Sequence, residues 1–285
     1  MTSPRISLVC TTIGRPSEFR RLLDSVAASS IAEHVEFIVV DQSDDQQCAA
    51  LVTSAELPGP VKATRSGRGA STGRNAGTRL VTAPIVAYPD DNCWYRPDTL
   101  EAATRLLETD TELAGVSGMQ VTADGRPSMQ RWLRRPTTVS RLNFPRTSIA
   151  STIFLRTATL PSRAPFDESI GVGSPGLRGA GEESDLVLRL IAAGHTLSYD
   201  PSIHILQDDD RHAITEAFVD KMFKYGVGNG HLWRRHRLSV AQFGYHGARK
   251  IVGSVVRDIR GNRIHARADV AYLRGELVGY FGRDR

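Results

Sequence analysis

Long apolar runs are missing from this chain, and that absence bounds it first. No segment approaches the roughly 18 consecutive apolar residues of a membrane-spanning helix. The opening MTSPRISLVC has neither the basic nor the apolar region of a secretory signal, so a cytoplasmic location is expected. Cysteine is scarce: Cys10, Cys48 and Cys93 are odd in number and widely spaced, which fits neither a disulfide framework nor a zinc ligand set and leaves reduced thiols. A Walker A element is absent too. The glycine-rich stretch RSGRGASTGRNAG from Arg65 to Gly77 is followed by no Gly-Lys-Ser/Thr, and it lacks the dinucleotide-binding position directly after the first strand. No DNA- or RNA-binding motif occurs, so nucleic acid is not an expected partner.

What is present suits an ordinary globular protein. The 285 residues are 40% hydrophobic and 24% charged, enough for one large or two unequal domains. The net charge of +5 is unevenly placed. Residues 221–285 hold 14 Lys or Arg against 4 Asp or Glu, a net of +10, which leaves −5 for the rest. A basic third of this kind suits an anionic lipid surface, a phosphate-bearing acceptor or a solvated helical face.

Along the first half, short apolar runs alternate with helical patterns. Ile6 to Cys10 reads as a strand, and Ser17 opens a helix with Phe19, Leu22, Leu23 and Val26 on one face. Val35 to Val40 is a second buried strand ending at Asp41, Asp44 to Ser54 a short helix, and Val61 to Ala63 a third strand. The glycine-rich loop then leads into a helix ending near Val81, where Arg74 and Asn75 can hold an anion beside free backbone N–H groups. This alternation predicts parallel βαβ units and a doubly wound sheet of the nucleotide-binding type.

The pattern centres on PIVAYPDDNCWYRP, from Pro84 to Pro97. Ile85 to Ala87 is a buried strand, and Asp90, Asp91 and Asn92 follow at its carboxyl end, where open α/β sheets bind ligands. Two Asp and an Asn are equally ordinary turn chemistry, and both readings stand at this point. Downstream, Asp98 is placed to cap a helix with Leu100, Ala103, Leu106 and Leu107 on one face, and Leu113 to Val121 is a strand. Arg131, Trp132, Arg134 and Arg135 form a basic aromatic cluster suited to an acceptor groove, before a strand over Ile149 to Leu155. In FDESIGVGSPGLRGAGEESDLVLRL, from Phe166 to Leu190, a glycine-rich approach delivers Glu182, Glu183 and Asp185 to the first turn of a helix. The helix dipole alone favours acids there. Leu197 to Ile205 is a late strand.

Taken in order, ISLVCTTIGRP, FIVVDQSDD, GRNAG, AYPDDNCWYRPDTL, GEESDLVLRL and YDPS resemble the inverting family 2 glycosyltransferases of the GT-A fold, over about residues 5–210. The resemblance implies a GT-A-type, Rossmann-like, mostly parallel sheet flanked by helices. It implies a catalytic domain over 1–210 and a basic helical extension over 211–285. It places Thr11 and Asp41 in the nucleotide-base and ribose pocket, with Arg15 as a further candidate and Arg74 near the diphosphate, beside Asn75, the anion-holding candidate of the helix start. Asp91 matches the metal-coordinating acid of the family's DXD element, with Asp90 supporting the metal or the nucleotide sugar and Asn92 behind them. Pro89 stands where many members carry the first Asp. The catalytic base falls on Glu183, where Asp is usual, with Asp185 and Glu182 as alternatives. Gln207 occupies the position of a frequent metal-binding His, and His204 nearby reads as a strand residue.

The expected reaction is metal-dependent transfer, with Mg²⁺ or Mn²⁺, from a nucleotide-diphosphate sugar to a glycan or lipid-linked acceptor hydroxyl, with inversion. One base and no carboxylate nucleophile set it apart from a retaining hydrolase. The alternatives are a sugar-phosphate nucleotidyltransferase and a catalytically inactive nucleotide-sugar-binding scaffold. Beyond Gln207 the sequence reads as helices, the first broken by Gly226, Gly228 and Gly230. Arg249, Lys250, Arg257 and Arg260 interleave with Ile251, Val252, Val255, Val256 and Ile259. That pattern suits peripheral contact with the inner face of the cell membrane, or a helical cap on the catalytic domain.

Overall fold

The computed structural model describes residues 3–208 and 215–283. The expected boundary at 210/211 and the helical reading of 212–214 fall outside the described residues. The described chain divides into two compact units. The first runs to Arg68, continues over Thr72–Phe166 and resumes at Leu186; the second takes Gly69–Ser71, Asp167–Asp185 and the C-terminal helices.

The first unit is a nine-stranded sheet with helices. In chain order the strands are β1 (Ile6–Thr12), β2 (Val35–Asp41), β3 (Val61–Thr64), β4 (Ile85–Ala87), β5 (Cys93–Tyr95), β6 (Leu113–Val121), β7 (Thr137–Thr138), β8 (Ile153–Arg156) and β9 (Thr196–Gln207). The helices are α1 (Pro16–Ala27), α2 (Gln47–Ser54), α3 (Ala70–Thr78), α4 (Thr99–Thr109) and α5 (Glu182–Ala192), whose first turn is counted with the second unit. The sheet order is β3-β2-β1-β4-β8-β6-β9-β5, with β7 paired to β9. β3, β2, β1 and β4 run parallel, as the alternation predicts. β8 then enters antiparallel between β4 and β6, and β9 runs parallel to β6.

Burial explains why these runs are strands. Every residue of β2 and β4 is buried, as two-sided coverage of a parallel sheet requires. Phe19, Leu22, Leu23 and Val26 of α1 and Leu100, Ala103 and Leu107 of α4 fill the core with them. Each such large side chain contributes about 1.5–3 kcal/mol by leaving water. Glu36 is one of two buried acids in β2, the other being Asp41 at its end. Burial raises the Glu36 carboxyl pKa, but Lys62 at 2.6 Å, the Ser7 hydroxyl and the Thr82 amide and hydroxyl outweigh that and hold it below its ordinary value. Asp98 does not cap α4 through its side chain, because its backbone is already helical at φ −93° and ψ −9°. The three thiols are free and buried.

The second unit contains α6 (Glu216–Arg235), α7 (Val240–Ile259) and α8 (Arg263–Tyr280). Gly226, Gly228 and Gly230 do not break α6, contrary to the sequence expectation, because they lie where other backbone presses against it. A Cβ on Gly226 would collide with the Tyr272 carbonyl, and one on Gly230 with that of Glu276. Reciprocally, Cβ atoms on Gly275 and Gly279 of α8 would strike the carbonyls of Phe223 and Val227. Each glycine costs about 1 kcal/mol of helix propensity, offset here by direct backbone packing of the small-xxx-small kind. The Ser239 side chain caps α7, accepting from the Gln242 amide. No helix among the described residues is long and apolar enough to cross a membrane.

Within this pair, Glu276 is 5% exposed and accepts a hydrogen bond from Asn229 at 2.6 Å. Burial pushes its carboxyl up from 4.5 to about 7, against the Asn229 bond and the Lys250 charge. The folded state therefore favours the neutral acid. The stability this provides is complete below about pH 4.5 and is lost as pH rises through about 7. Glu276→Gln is expected to flatten that dependence and to gain on the order of 2–3 kcal/mol at about pH 8. Urea titrations near pH 5 and pH 8 check this, and an unchanged difference between the two would refute it.

Candidate active site

The acidic turn is assembled by strand ends. β4 delivers the chain to Tyr88, whose hydroxyl lies 3.1 Å from that of Thr78 and whose ring meets Phe166 edge-on at 4.8 Å. An isolated parallel bridge then joins Asp90 to Thr11 at the end of β1. Asp91 is only 1% exposed. Its carboxylate accepts from the Thr12 hydroxyl at 2.7 Å and from Arg15 through Nε at 3.2 Å and through Nη2. Burial raises the Asp91 pKa above its ordinary value; Thr12 and Arg15 oppose the shift without cancelling it, and neighbouring Asp90 adds to it. Asp90 is the more open acid, its side chain 41% exposed and paired with Arg74 Nη2 at 3.2 Å. Arg74 itself is buried, its guanidinium 5.7 Å from the Phe166 ring centre.

The glycines of GRNAG serve packing. A Cβ on Gly73 would collide with the Thr11 methyl and one on Gly77 with Val9, so α3 lies directly on β1 and sets Arg74 beside the acids. Thr11 Oγ1 is buried beside Gly73 without a hydrogen-bond partner. Two further expected ligand contacts, Asn75 and Asp41, also bond within the protein. Asn75 holds Phe166 by both backbone groups, Nδ2 to O and N to Oδ1, each at 2.9 Å. Asp41 is fully buried and accepts from the Ser43 amide and hydroxyl and from the Ala49 amide, so it shapes the loop after β2. Gln42 continues that task by donating to the Ser66 hydroxyl at 2.8 Å and to the Gly67 carbonyl.

The acid turn fits a hard divalent cation of the Mg²⁺ or Mn²⁺ type. Such ions take one or two protein carboxylates and complete their shell with phosphate oxygens and water. Asp90 and Asp91 are adjacent hard oxygen donors, and each already attracts a cationic guanidinium. No cluster of three or more His, Cys, Asp or Glu suited to a metal occurs among the described residues. Gln207 instead accepts a weak bond from the Cys93 thiol at 3.7 Å, and His204 stays within β9, paired in register with Met119.

In the second unit, Gly181 turns the chain into α5 with φ +101°, and a Cβ there would strike Leu232. The three acids that follow differ in exposure. Glu182 is 5% exposed and packs under Gly171. Asp185 is fully buried against Arg235 Nε at 3.2 Å and His236 Nε2 at 2.8 Å. Arg235 also grips Asp167; burial pushes that carboxyl up, but the Arg235 and Ser169 hydrogen bonds prevail and hold it at about 2. Glu183 remains half-exposed, the most open of the three. The residues that sequence reasoning missed are Thr12, Arg235, His236 and Asp167. Each meets its partner across 50 or more positions of chain, a spacing that no local pattern encodes.

Asp185 is thus a buried anion held by Arg235 and His236. Asp185→Ala, which strips a buried anion from Arg235 and His236, is expected to cost about 3 kcal/mol in urea unfolding, and Glu183→Ala much less. Equal losses would show that the two acids have not been told apart.

Comparison with known proteins gives this geometry its context. A search of curated protein sequences finds no match. Among solved structures, the chain resembles the mannosyltransferase PcManGT from Pyrobaculum calidifontis, in complex with GDP-Man and Mn²⁺. The TM-score is 0.64 at 13% identity, over 99% of this chain and 88% of that one. It also resembles residues 1–349 of S. aureus TarS, solved with UDP (TM-score 0.59) and with UDP-GlcNAc (TM-score 0.57). Both are 15% identical, over 98% of this chain and 92% of that one. These likenesses fix the fold as GT-A. The glycosyl transferase family 2 model matches residues 7–166, more than half of the chain and the whole run from β1 through the acid turn to Phe166, and the chain belongs to that family.

Proposed function

We propose that the protein transfers a sugar from a nucleotide-diphosphate sugar to a hydroxyl of a glycan or lipid-linked acceptor, with inversion and with Mg²⁺ or Mn²⁺ at the acid turn. The observation that carries this reading is the Asp90–Asp91 turn, set at the end of β4 between Arg15 and Arg74 in a family 2 domain. Support also comes from the relatives solved with GDP-Man and Mn²⁺ and with UDP-GlcNAc.

Asp91, with Asp90 beside it, would hold the cation, which supplies positive charge to the departing diphosphate. Arg15 and Arg74 then turn from the acids toward phosphate oxygens, where their planar forks are well suited. Thr11 offers its unpartnered hydroxyl to the nucleotide, while Asp41 and Asn75 keep the surrounding loops in place. Glu183 is the base: it takes the acceptor proton as the acceptor oxygen bonds to the anomeric carbon. The bond from that carbon to the diphosphate breaks, and the nucleotide leaves with the electron pair. Displacement on the face opposite the leaving group inverts the centre.

The test is nucleotide release from UDP-, GDP- and dTDP-sugars with Mn²⁺ or Mg²⁺ and then with EDTA. One donor is expected to be hydrolysed slowly, with activity lost on chelation and in Asp91→Ala. With acceptor present, Glu183→Gln is expected to lower transfer by about 10²–10⁴-fold, the usual worth of a general base. Absence of both hydrolysis and metal-dependent nucleotide binding would overturn the glycosyl-transfer reading, and metal-dependent binding without hydrolysis or transfer would favour the inactive nucleotide-sugar-binding protein.

We also infer that α7 rests on an anionic lipid surface, which places the enzyme peripherally at the inner face of the membrane. Tyr245, Val252, Val255 and Ile259 recur at helical spacing and are 53–80% exposed, an apolar stripe beside Arg249 and Arg260. The arginine flank matches anionic headgroups rather than a second copy of the same basic helix. Co-sedimentation with phosphatidylglycerol vesicles is expected, with at least tenfold loss in Val252→Asp/Ile259→Asp. Equal binding to neutral phosphatidylcholine, or self-association without lipid, would sink the assignment.

A further inference from the structure

A cleft of about 690 Å³ opens in the first unit, and its lining includes none of Arg15, Arg74, Asp90 and Asp91. It is built on a bulge. Along β6 and β9 the register jumps from Ser117 opposite Tyr199 to Met119 opposite His204, so residues 200–203 bow outward and bring Pro201 and Ser202 to the cleft. Asp200 closes the bow by accepting from the Ser202 amide at 2.8 Å and hydroxyl at 2.7 Å. The loop after β6 forms the other wall and is braced. Trp132 stacks on Tyr199 with planes 5° apart and donates to the Ser128 carbonyl at 2.8 Å, while the Tyr199 hydroxyl donates to the Leu133 carbonyl at 2.8 Å.

The charged side chains that line this cleft are all arginines. Arg131, Arg134 and Arg146 line it, and no carboxylate forms an ion pair with any of them among the described residues. Arg146 is oriented by its Nε, which donates to the Arg131 carbonyl at 2.9 Å. Gln130, in the same wall, keeps a buried Nε2 donor without a partner. Met129 just before it sits at φ +65°, a backbone conformation that costs a non-glycine residue on the order of 1 kcal/mol and that clusters at functional sites. Three exposed guanidinium groups and an unpartnered amide donor line one cleft, with the Asp200 carboxylate turned into its own loop by the Ser202 amide and hydroxyl, so the donors there suit an oxyanion. Met119, Pro127 and Pro201 add apolar surface of the kind that carries the C–H face of a sugar.

We propose that this cleft is an acceptor subsite that binds a phosphate group borne on a sugar chain, with Arg131, Arg134 and Arg146 as the phosphate ligands. Phosphate is favoured over carboxylate because it presents three oxygens and up to two charges to three forks, where a carboxylate satisfies one fork. The word acceptor rests on the glycosyl-transfer reading; the anion site does not, and it is tested without turnover.

The test is calorimetric titration of the full chain with glucose 1-phosphate, inorganic phosphate, glucuronate and glucose. Glucose 1-phosphate is expected to bind more tightly than glucuronate by at least tenfold, and glucose not at all. Arg134→Gln/Arg146→Gln is expected to weaken the phosphate ligands at least tenfold, with Arg74→Gln leaving them unchanged. Arg134 makes no hydrogen bond among those described, so Arg134→Lys alone, which keeps the charge and loses the fork, separates a binding effect from a folding one and is expected to weaken binding several-fold. No binding, binding that survives in the double variant, or binding lost in Arg74→Gln overturns the proposal, the last by moving the phosphate to the acid turn. Glucuronate matching glucose 1-phosphate overturns the phosphate assignment. Tighter binding of inorganic phosphate than of glucose 1-phosphate overturns the sugar-chain assignment. Arginine-dependent phosphate binding in a protein that hydrolyses no nucleotide sugar would leave the anion site standing and remove glycosyl transfer.

Discussion

A carboxylate taken almost wholly out of water needs compensation from fixed groups, and Asp91 obtains it from the Thr12 hydroxyl and the Arg15 guanidinium. Those contacts tie three pieces of chain together: the last residue of β1, the loop that leads to α1 and the turn after β4. Thr12 also accepts from the Gly14 amide at 3.2 Å, and its carbonyl accepts from the Gln42 amide at 2.8 Å, so the same residue orients the loop after β2. The mouth of the parallel half of the sheet is thus organised by a single buried charge and its partners.

This arrangement carries resident counter-ions. Arg15 and Arg74 neutralise the two acids before any ligand arrives, which keeps a site of adjacent carboxylates compatible with a folded sheet. On the proposed glycosyl-transfer reading, binding a cation together with a diphosphate would be an exchange: positive charge would replace positive charge at the carboxylates, and the arginines would acquire the phosphate. In the protein as it stands, the repulsion between Asp90 and Asp91 is met by these two guanidinium groups and not by water alone.

Much of this was legible in the sequence, and the exceptions share a cause. The consecutive apolar residues Val35 to Val40 and Ile85 to Ala87 announce buried parallel strands, and the acids after Ala87 fall at a strand's carboxyl end as the pattern requires. The antiparallel entry of β8 was hidden, because residues 122–152 have neither the alternation nor the helical period that would order neighbouring strands. That Asn75 and Asp41 also hold loop backbone was hidden, since a short polar side chain beside a glycine-rich or strand-end loop carries the same signal whether it faces a ligand or a backbone. Gly226, Gly228 and Gly230 looked like helix breakers for a related reason: intrinsic propensity is local, and the backbone that packs against them lies nearly 50 residues further along or, for Gly228, at Ala180. The basic cluster at Arg131 to Arg134 was visible, whereas Arg146 and the bulge at Pro201 joined it only through the fold.

The seam between α6 and α8 has one more implication. Two helices held apart by side chains adjust their spacing whenever a contact residue changes size, so drift at the contact shifts everything they carry. Here the spacing is set by main-chain atoms meeting at Gly226, Gly230, Gly275 and Gly279, which have no side chain to vary. The pair behaves as a gauge block, fixed in thickness. Residues on its outer faces can therefore change in charge, bulk or polarity over a long mutational path while the platform beneath them keeps one dimension.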